Sequence, residues 1–146
     1  ADAVLSALGP AKNQPTFEIS QGMQVIIQAM KTTGVKRLII SAGAGVSDPD
    51  DTPKLFNKVM NVLLRATSRY VYEDMLKTVE LVRDSDLDWT VVRVPMLTDD
   101  PPTGQVKVGM VGKGMGPRIS RADMADFMLQ QAKSDQFMRK APAISN

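Results

Sequence analysis

The stretch Trp89-Thr90-Val91-Val92-Arg93-Val94, closed by Pro95, decides the fold. It is short, β-branched and apolar on both alternations, as a strand covered on both faces must be. Two more stretches read the same way. Arg37-Leu38-Ile39-Ile40-Ser41 runs into Ala42-Gly43, and Ala3-Val4-Leu5-Ser6-Ala7-Leu8 ends at Gly9-Pro10. Between the strands lie helical patterns. Ile19, Met23, Ile26, Ile27 and Met30 recur at helical spacing and stop near Gly34. Leu55, Phe56, Val59, Met60 and Leu63 mark a second face, started by Thr52-Pro53 as cap and first helical residue. Val71, Met75, Val79 and Val82 mark a third, either a separate helix or the continuation of a kinked one.

Beyond Pro95 the pattern loosens. Asp99 to Gly104 is turn material, and Val106, Val108 and Met110 alternate as in a half-buried strand. Ser120-Arg121-Ala122-Asp123 has capping-box spacing before Met124, Phe127, Met128 and Ala132. Ala141 to Ser145 suits a last short strand. Buried strands alternating with amphipathic helices predict an α/β fold, a doubly wound parallel sheet forming one domain over residues 1–146.

Composition narrows the chemistry. The chain is 43% hydrophobic and 23% charged, a globular profile. It has no cysteine and no histidine, so thiolate chemistry, disulfides and the commonest base and metal ligand are all excluded. No metal site is expected. Net charge is +2 with the cations scattered, which argues against nucleic acid as a partner. No apolar run approaches the ~20 residues that span a bilayer, and no signal peptide is visible. A cytoplasmic protein with a small-molecule substrate and no membrane partner is the expectation. The acids Asp48, Asp50, Asp51, Asp99 and Asp100 read as solvated loops, and Gly112-Lys113-Gly114-Met115-Gly116 as a turn, since no helix follows directly. Lys133 to Lys140 reads as solvated surface, the ten methionines as core filler, and Tyr70 and Tyr72 as packing residues.

Ligands of open parallel sheets sit beyond the carboxyl ends of the strands. Here those ends are Leu8-Gly9-Pro10, Ser41-Ala42-Gly43 and Arg93-Val94-Pro95-Met96. Each is a plausible strand stop taken singly; together they favour a pocket.

At these segments the chain resembles the atypical short-chain dehydrogenases, a Rossmann-type group that includes NmrA-like proteins and the flavin/biliverdin-IXβ reductases. The resemblance rests on Ala1 to Gly9, Gly34 to Ser41, Ser85 to Arg93, Leu97-Thr98-Asp99, Thr103-Gly104 and Ile119-Ser120-Arg121-Ala122-Asp123. It implies that Ala1 to Gly9 is the fourth strand of a seven-stranded sheet. The glycine-rich phosphate turn and ribose-selecting residue would then lie in an N-terminal half absent from this sequence. It implies NADP or NAD as cofactor, NADP preferred. Ala7, Leu8 and Gly9 would line the adenosine side, with Ser41, Ala42 and Gly43 beneath the nicotinamide ribose. Val94, Pro95, Met96 and Leu97 would flank the nicotinamide, and Arg93 would support the site or approach phosphate. The classical subgroup adds a Ser, and a Tyr and Lys four apart. The matching positions here are Gly43, Val71 and Met75, so the catalytic residues stay unassigned. The implied function is an NAD(P)H-dependent reductase of a flavin or similar conjugated acceptor. The alternative is a non-catalytic NmrA-like dinucleotide sensor or assembly factor. A further expectation is self-association through the first strand, which would form an open sheet edge.

Overall fold

The computed structural model describes residues 1–146, the side chain of Phe56 aside. Eleven elements follow in chain order: β1 Ala3–Ser6, α1 Glu18–Thr33, β2 Arg37–Gly43, α2 Leu55–Thr67, α3 Arg69–Arg83, β3 Asp88–Val94, β4 Met96–Thr98, β5 Lys107–Gly109, β6 Arg118–Ser120, α4 Arg121–Gln131 and β7 Ala143–Ser145. The main sheet has the order β1-β2-β3-β7-β5, parallel throughout except for the antiparallel β5–β7 pair.

β2 and β3 are the centre, in register from Arg37 opposite Asp88 to Gly43 opposite Val94. Successive side chains point to opposite faces of a strand, so each supplies two cores. Leu38, Ile40 and Val91 pack with Met23, Ile27 and Met30 of α1 and with Val79 and Val82 of α3. Ile39, Val92 and Val94 pack with Met124, Phe127 and Met128 of α4. Helices therefore cover both faces, the doubly wound arrangement expected. Each fully buried aliphatic side chain here stabilises the fold by roughly 1.5–3 kcal/mol.

Three details differ from expectation, and one settles an alternative that the sequence left open. β1 is the sheet edge and is only partly covered, with Leu5 exposed, so it is not buried on both faces. The helix foreseen at Thr52-Pro53 starts at Leu55 instead. The Thr52 N–H is donated to the Val111 carbonyl at 3.0 Å, which ties this residue to the loop after β5. Lys54 is the cap, its N–H bonded to Asn57 Oδ1 at 3.1 Å. α2 and α3 are two helices, broken at Ser68 (φ −135°, ψ 45°). The last difference is a small parallel sheet of β4 and β6, pairing Met96 to Thr98 with Arg118 to Ser120. Three-residue strands carry too little periodicity to be seen in a sequence.

The Gly112 segment is a turn, as read. Its φ is +90°, and a Cβ there would sit 1.9 Å from the Thr52 carbonyl oxygen, so only glycine fits. Of the apolar face expected on the second helix, Phe56 has its side chain outside the described residues.

Candidate functional site

The carboxyl ends of β1, β2 and β3 open into one cleft of about 700 Å³. Ala7, Leu8 and Gly9 form one wall, Ser41, Ala42 and Gly43 the floor, and Val94, Pro95 and Leu97 the far side. These expected site residues are brought together because parallel strands in register must end at the same level. A flatter depression of about 650 Å³ lies on the outer face of α1 by Gln24, Val25 and Gln28. It holds no strand end and no charged group.

Two expected residues lie elsewhere. Met96 does not line the cleft; its side chain is exposed, and its N–H is donated to the Pro117 carbonyl at 3.3 Å. Arg93 is fully buried and does not line the cleft either. Its guanidinium forms a two-pronged pair with Asp51, Nη1–Oδ2 2.6 Å and Nη2–Oδ1 2.9 Å. It also donates to the carbonyls of Val46 and Ala141. Arg93 therefore supports the site from beneath, pinning the loop that leaves the floor residues, and is spoken for as a phosphate ligand. Asp51 is correspondingly not a solvated loop acid, since its side chain is almost wholly covered. Burial pushes its pKa up. The hydrogen bonds from Arg93 and from the Asp48 and Val111 N–H groups, with the Arg93 charge, outweigh burial and hold it below the usual carboxylate value.

α3 supplies a wall that was not assigned to the site from sequence: Val71, Asp74, Met75 and Thr78 all face the cleft. Asp74 is buried, and both its oxygens accept backbone N–H groups at the start of α1, Ile19 at 3.0 Å and Ser20 at 2.9 Å. A helix start lacks partners for its first N–H groups, and here a side chain more than fifty positions away caps them. Met75 accepts the Gly43 N–H on its thioether sulfur at 3.2 Å. A Cβ on Gly43 would meet that sulfur at 3.1 Å, so the space this glycine leaves is filled by Met75. Gly9 is the opposite case: a Cβ there meets nothing within 4 Å.

Val71 and Met75 are the two positions that the resemblance gives to the Tyr and Lys of the classical subgroup. The structure sets both on the cleft-facing side of α3, and both are apolar. Tyr72 is turned away: it donates its hydroxyl to the Gly45 carbonyl at 3.3 Å and accepts from Arg65 at 3.2 Å. Ser41 is the hydroxyl on the cleft floor, and Arg121, paired with Asp99 at 2.9 Å, is the cation at its rim.

The far side is held by a second buried acid. Asp123 accepts from Thr103 and Gly104 N–H groups, the Thr103 and Ser120 hydroxyls and the Asn146 amide. The Thr103 N–H is the main cause of a pKa well below the usual carboxylate range; Asn146, Ser120 and Gly104 add to it, against burial. This carboxylate ties the loop after β4 to the start of α4. The capping-box spacing revealed only the Ser120 contact; the others join residues far apart in the chain.

The residues that line this cleft fit a nicotinamide dinucleotide. The lining is apolar at Leu8, Pro95, Leu97 and Met75, the backbone at Gly9 is open, the Ser41 hydroxyl stands at the floor and the Asp74 carboxylate on the α3 wall. Such a site offers stacking surface with a few fixed polar groups, as cofactor pockets do. Among the described residues no group of acids could hold a metal ion, and no helix is long and apolar enough to cross a membrane.

Comparison with known proteins agrees with this geometry. A UPF0659 protein of Schizosaccharomyces pombe is 27% identical over 122 residues, covering 80% of this chain and 49% of its own length. A provisionally named NAD-dependent epimerase/dehydratase of Bacillus halodurans superposes with a TM-score of 0.72 at 26% identity, over 99% of this chain and 64% of that one. ChuY, an anaerobillin reductase of Escherichia coli O157:H7, superposes with a TM-score of 0.74, over 98% of this chain and 63% of that one. At 16% identity ChuY speaks for the fold alone. The chain thus spans about half of the curated relative and under two thirds of these solved structures. The NAD(P)H-binding family model matches residues 1–135, and this chain, with its cleft at the strand ends of a doubly wound sheet, belongs to that family.

Proposed function

We propose that the intact protein is an NAD(P)H-dependent reductase of a flavin or another flat conjugated acceptor, with NADPH the preferred donor. The observation that carries this reading is the apolar cleft whose α3 wall presents Val71 and Met75. A carbonyl reductase needs a positioned proton donor at the new alkoxide. A conjugated acceptor spreads the incoming charge over its ring system and takes its proton from solvent or from a nearby hydroxyl. The dinucleotide supplies a hydride when bound. The chain's own residues bind and orient: Leu8, Pro95 and Leu97 offer flat surface, Ser41 offers a hydroxyl at the floor, and Arg121 sets positive charge at the rim.

The same α3 wall favours one other reading, a dinucleotide sensor or assembly factor that binds without turnover. The two are separated on the intact protein by titration with NADPH and with NADH, followed by oxidation assays with flavins and quinones. Saturable binding with acceptor-dependent oxidation supports the reductase; binding with no turnover under any acceptor supports the sensor; failure to bind either dinucleotide sinks both. Gly9→Leu ties the result to this cleft. A side chain there meets no protein atom near its Cβ, so the fold should hold. It projects toward the ligand space, and we expect Kd to rise about tenfold, ~1.4 kcal/mol.

A further inference from the structure

Among the described residues the cleft lining carries two charged side chains, Asp74 and Arg121. They stand on opposite sides, because α3 covers one face of the sheet and α4 the other. Asp74 is committed: it is buried, and its two oxygens accept the Ile19 and Ser20 N–H groups. Arg93 is committed in the same way to Asp51. Arg121 is not. It makes one polar contact among the described residues, from Nε to Asp99 Oδ1 at 2.9 Å. Its two Nη groups, the ends of the guanidinium fork, have no protein partner there. Asp99 is a weak holder, since its side chain is 86% exposed and so solvated an ion pair contributes little.

The backbone that presents Arg121 is firmly built. Arg121 is the first residue of α4, and the β4–β6 pair sets Thr98 opposite Ser120, so Asp99 and Arg121 leave the small sheet side by side. Buried Asp123 accepts from the Ser120 hydroxyl and from the Thr103 and Gly104 N–H groups, which locks the same corner. The start of the side chain is fixed and its charged end is free to turn. Beside it the wall is apolar, at Pro95, Leu97 and Met124. An apolar wall bordered by one solvated cation suits a ligand with an apolar body and an anionic arm. A planar guanidinium meets phosphate or carboxylate through two parallel N–H bonds, and the open Nη pair is shaped for that contact.

We infer that Arg121 selects the anionic arm of the electron acceptor, so that the preferred acceptor is a conjugated ring carrying a phosphate or carboxylate. The inference rests on the reductase reading for the ring's role as acceptor, and on the cleft geometry for the anion contact. Asp99 keeps the arginine in place in the free protein, and the acceptor's anion displaces it.

The test uses the intact protein and two flavins with the same ring, flavin mononucleotide with a phosphate and riboflavin without. Kd for each is read from flavin fluorescence in the presence of NADP+, and NADPH oxidation is followed in parallel. We expect the mononucleotide to bind about tenfold more tightly than riboflavin. Arg121→Gln should reduce that preference about tenfold, and Arg121→Lys should keep part of it. Asp99→Asn should move the other way, raising the preference about twofold by removing the competitor. Asp100→Asn, at an exposed acid with no ion pair among the described residues, should leave it as it was. A role confined to holding the loop would not give opposite signs at the two partners of one ion pair. Equal Kd values for the two flavins, or binding of neither, overturns the inference. So does an Arg121→Gln variant that weakens NADP+ as much as the mononucleotide, which would assign the cation to the dinucleotide. A preference for the mononucleotide without NADPH oxidation keeps the anion contact and removes the reductase. Oxidation with both flavins alike keeps the reductase and removes the anion contact.

Discussion

α2 and α3 are neighbours in sequence and similar in length, and both are amphipathic, yet they are used in opposite ways. α3 turns Tyr72, Val79 and Val82 into the molecule and walls the cleft with Val71 and Met75. Among the described residues, α2 turns its apolar side out, and its half-buried positions are asparagines. The difference teaches that an apolar stripe says a helix has two sides, and that the flanking anchors choose which side faces in. α3 is fixed by its short connection to β3 and by Asp74, which bonds the start of α1. α2 is fixed by what precedes it: Arg93 grips Asp51, and Thr52 is pinned to Val111 over Gly112.

The sharpest break in the comparison is a charge in each helix. Val82 is fully buried in α3, so Val82→Asp places an uncompensated carboxylate in the core. We expect a loss of ~5 kcal/mol or more, enough to prevent folding, seen as missing soluble protein or an absent cooperative melt.

Next in size is the anchor that orients α2. Asp51→Asn leaves the Arg93 guanidinium buried without its counter-charge, and we expect a cost of about 3–5 kcal/mol in denaturant unfolding. Replacing both together, Asp51→Leu with Arg93→Met, should recover much of that loss, because no unpaired charge remains. The pair also sets a pH dependence. The folded pKa of Asp51 lies below its unfolded value, so its contribution is complete above about pH 4 and disappears as pH falls through the folded pKa. Acid unfolding of Asp51→Asn should be correspondingly flatter below about pH 4.

The smallest effect is expected on α2 itself. Leu63→Asp should change stability by no more than ~0.5 kcal/mol, since the side chain is already solvated. A large loss there would mean that this face is covered within the molecule, and the contrast between the two helices would fail.

Much of the site was legible because strand ends are legible. Apolar runs stopped by Gly9, Gly43 and Pro95 located three parallel strands, and parallel strands put those stops side by side. What escaped the sequence was long-range pairing between residues of unremarkable type. Asp74 on the α1 start, Met75 against Gly43, Arg93 with Asp51 and Asp123 with Thr103 and Asn146 have no shared local motif. An aspartate beside proline and threonine reads as a loop acid until a buried arginine is found next to it.

The sequence by itself determined the α/β class, the central strands and the absence of histidine and cysteine chemistry, because periodicity and composition are local properties. The resemblance, and not periodicity or composition, matched Val71 and Met75 to the positions of the classical subgroup's Tyr and Lys. Only the tertiary structure decided that Arg93 lies in the core and not at a phosphate, that Gly43 makes room for Met75, and that α2 faces outward. Those outcomes depend on which groups meet across dozens of residues, and a buried charge or an exposed apolar face is defined by its neighbours in space.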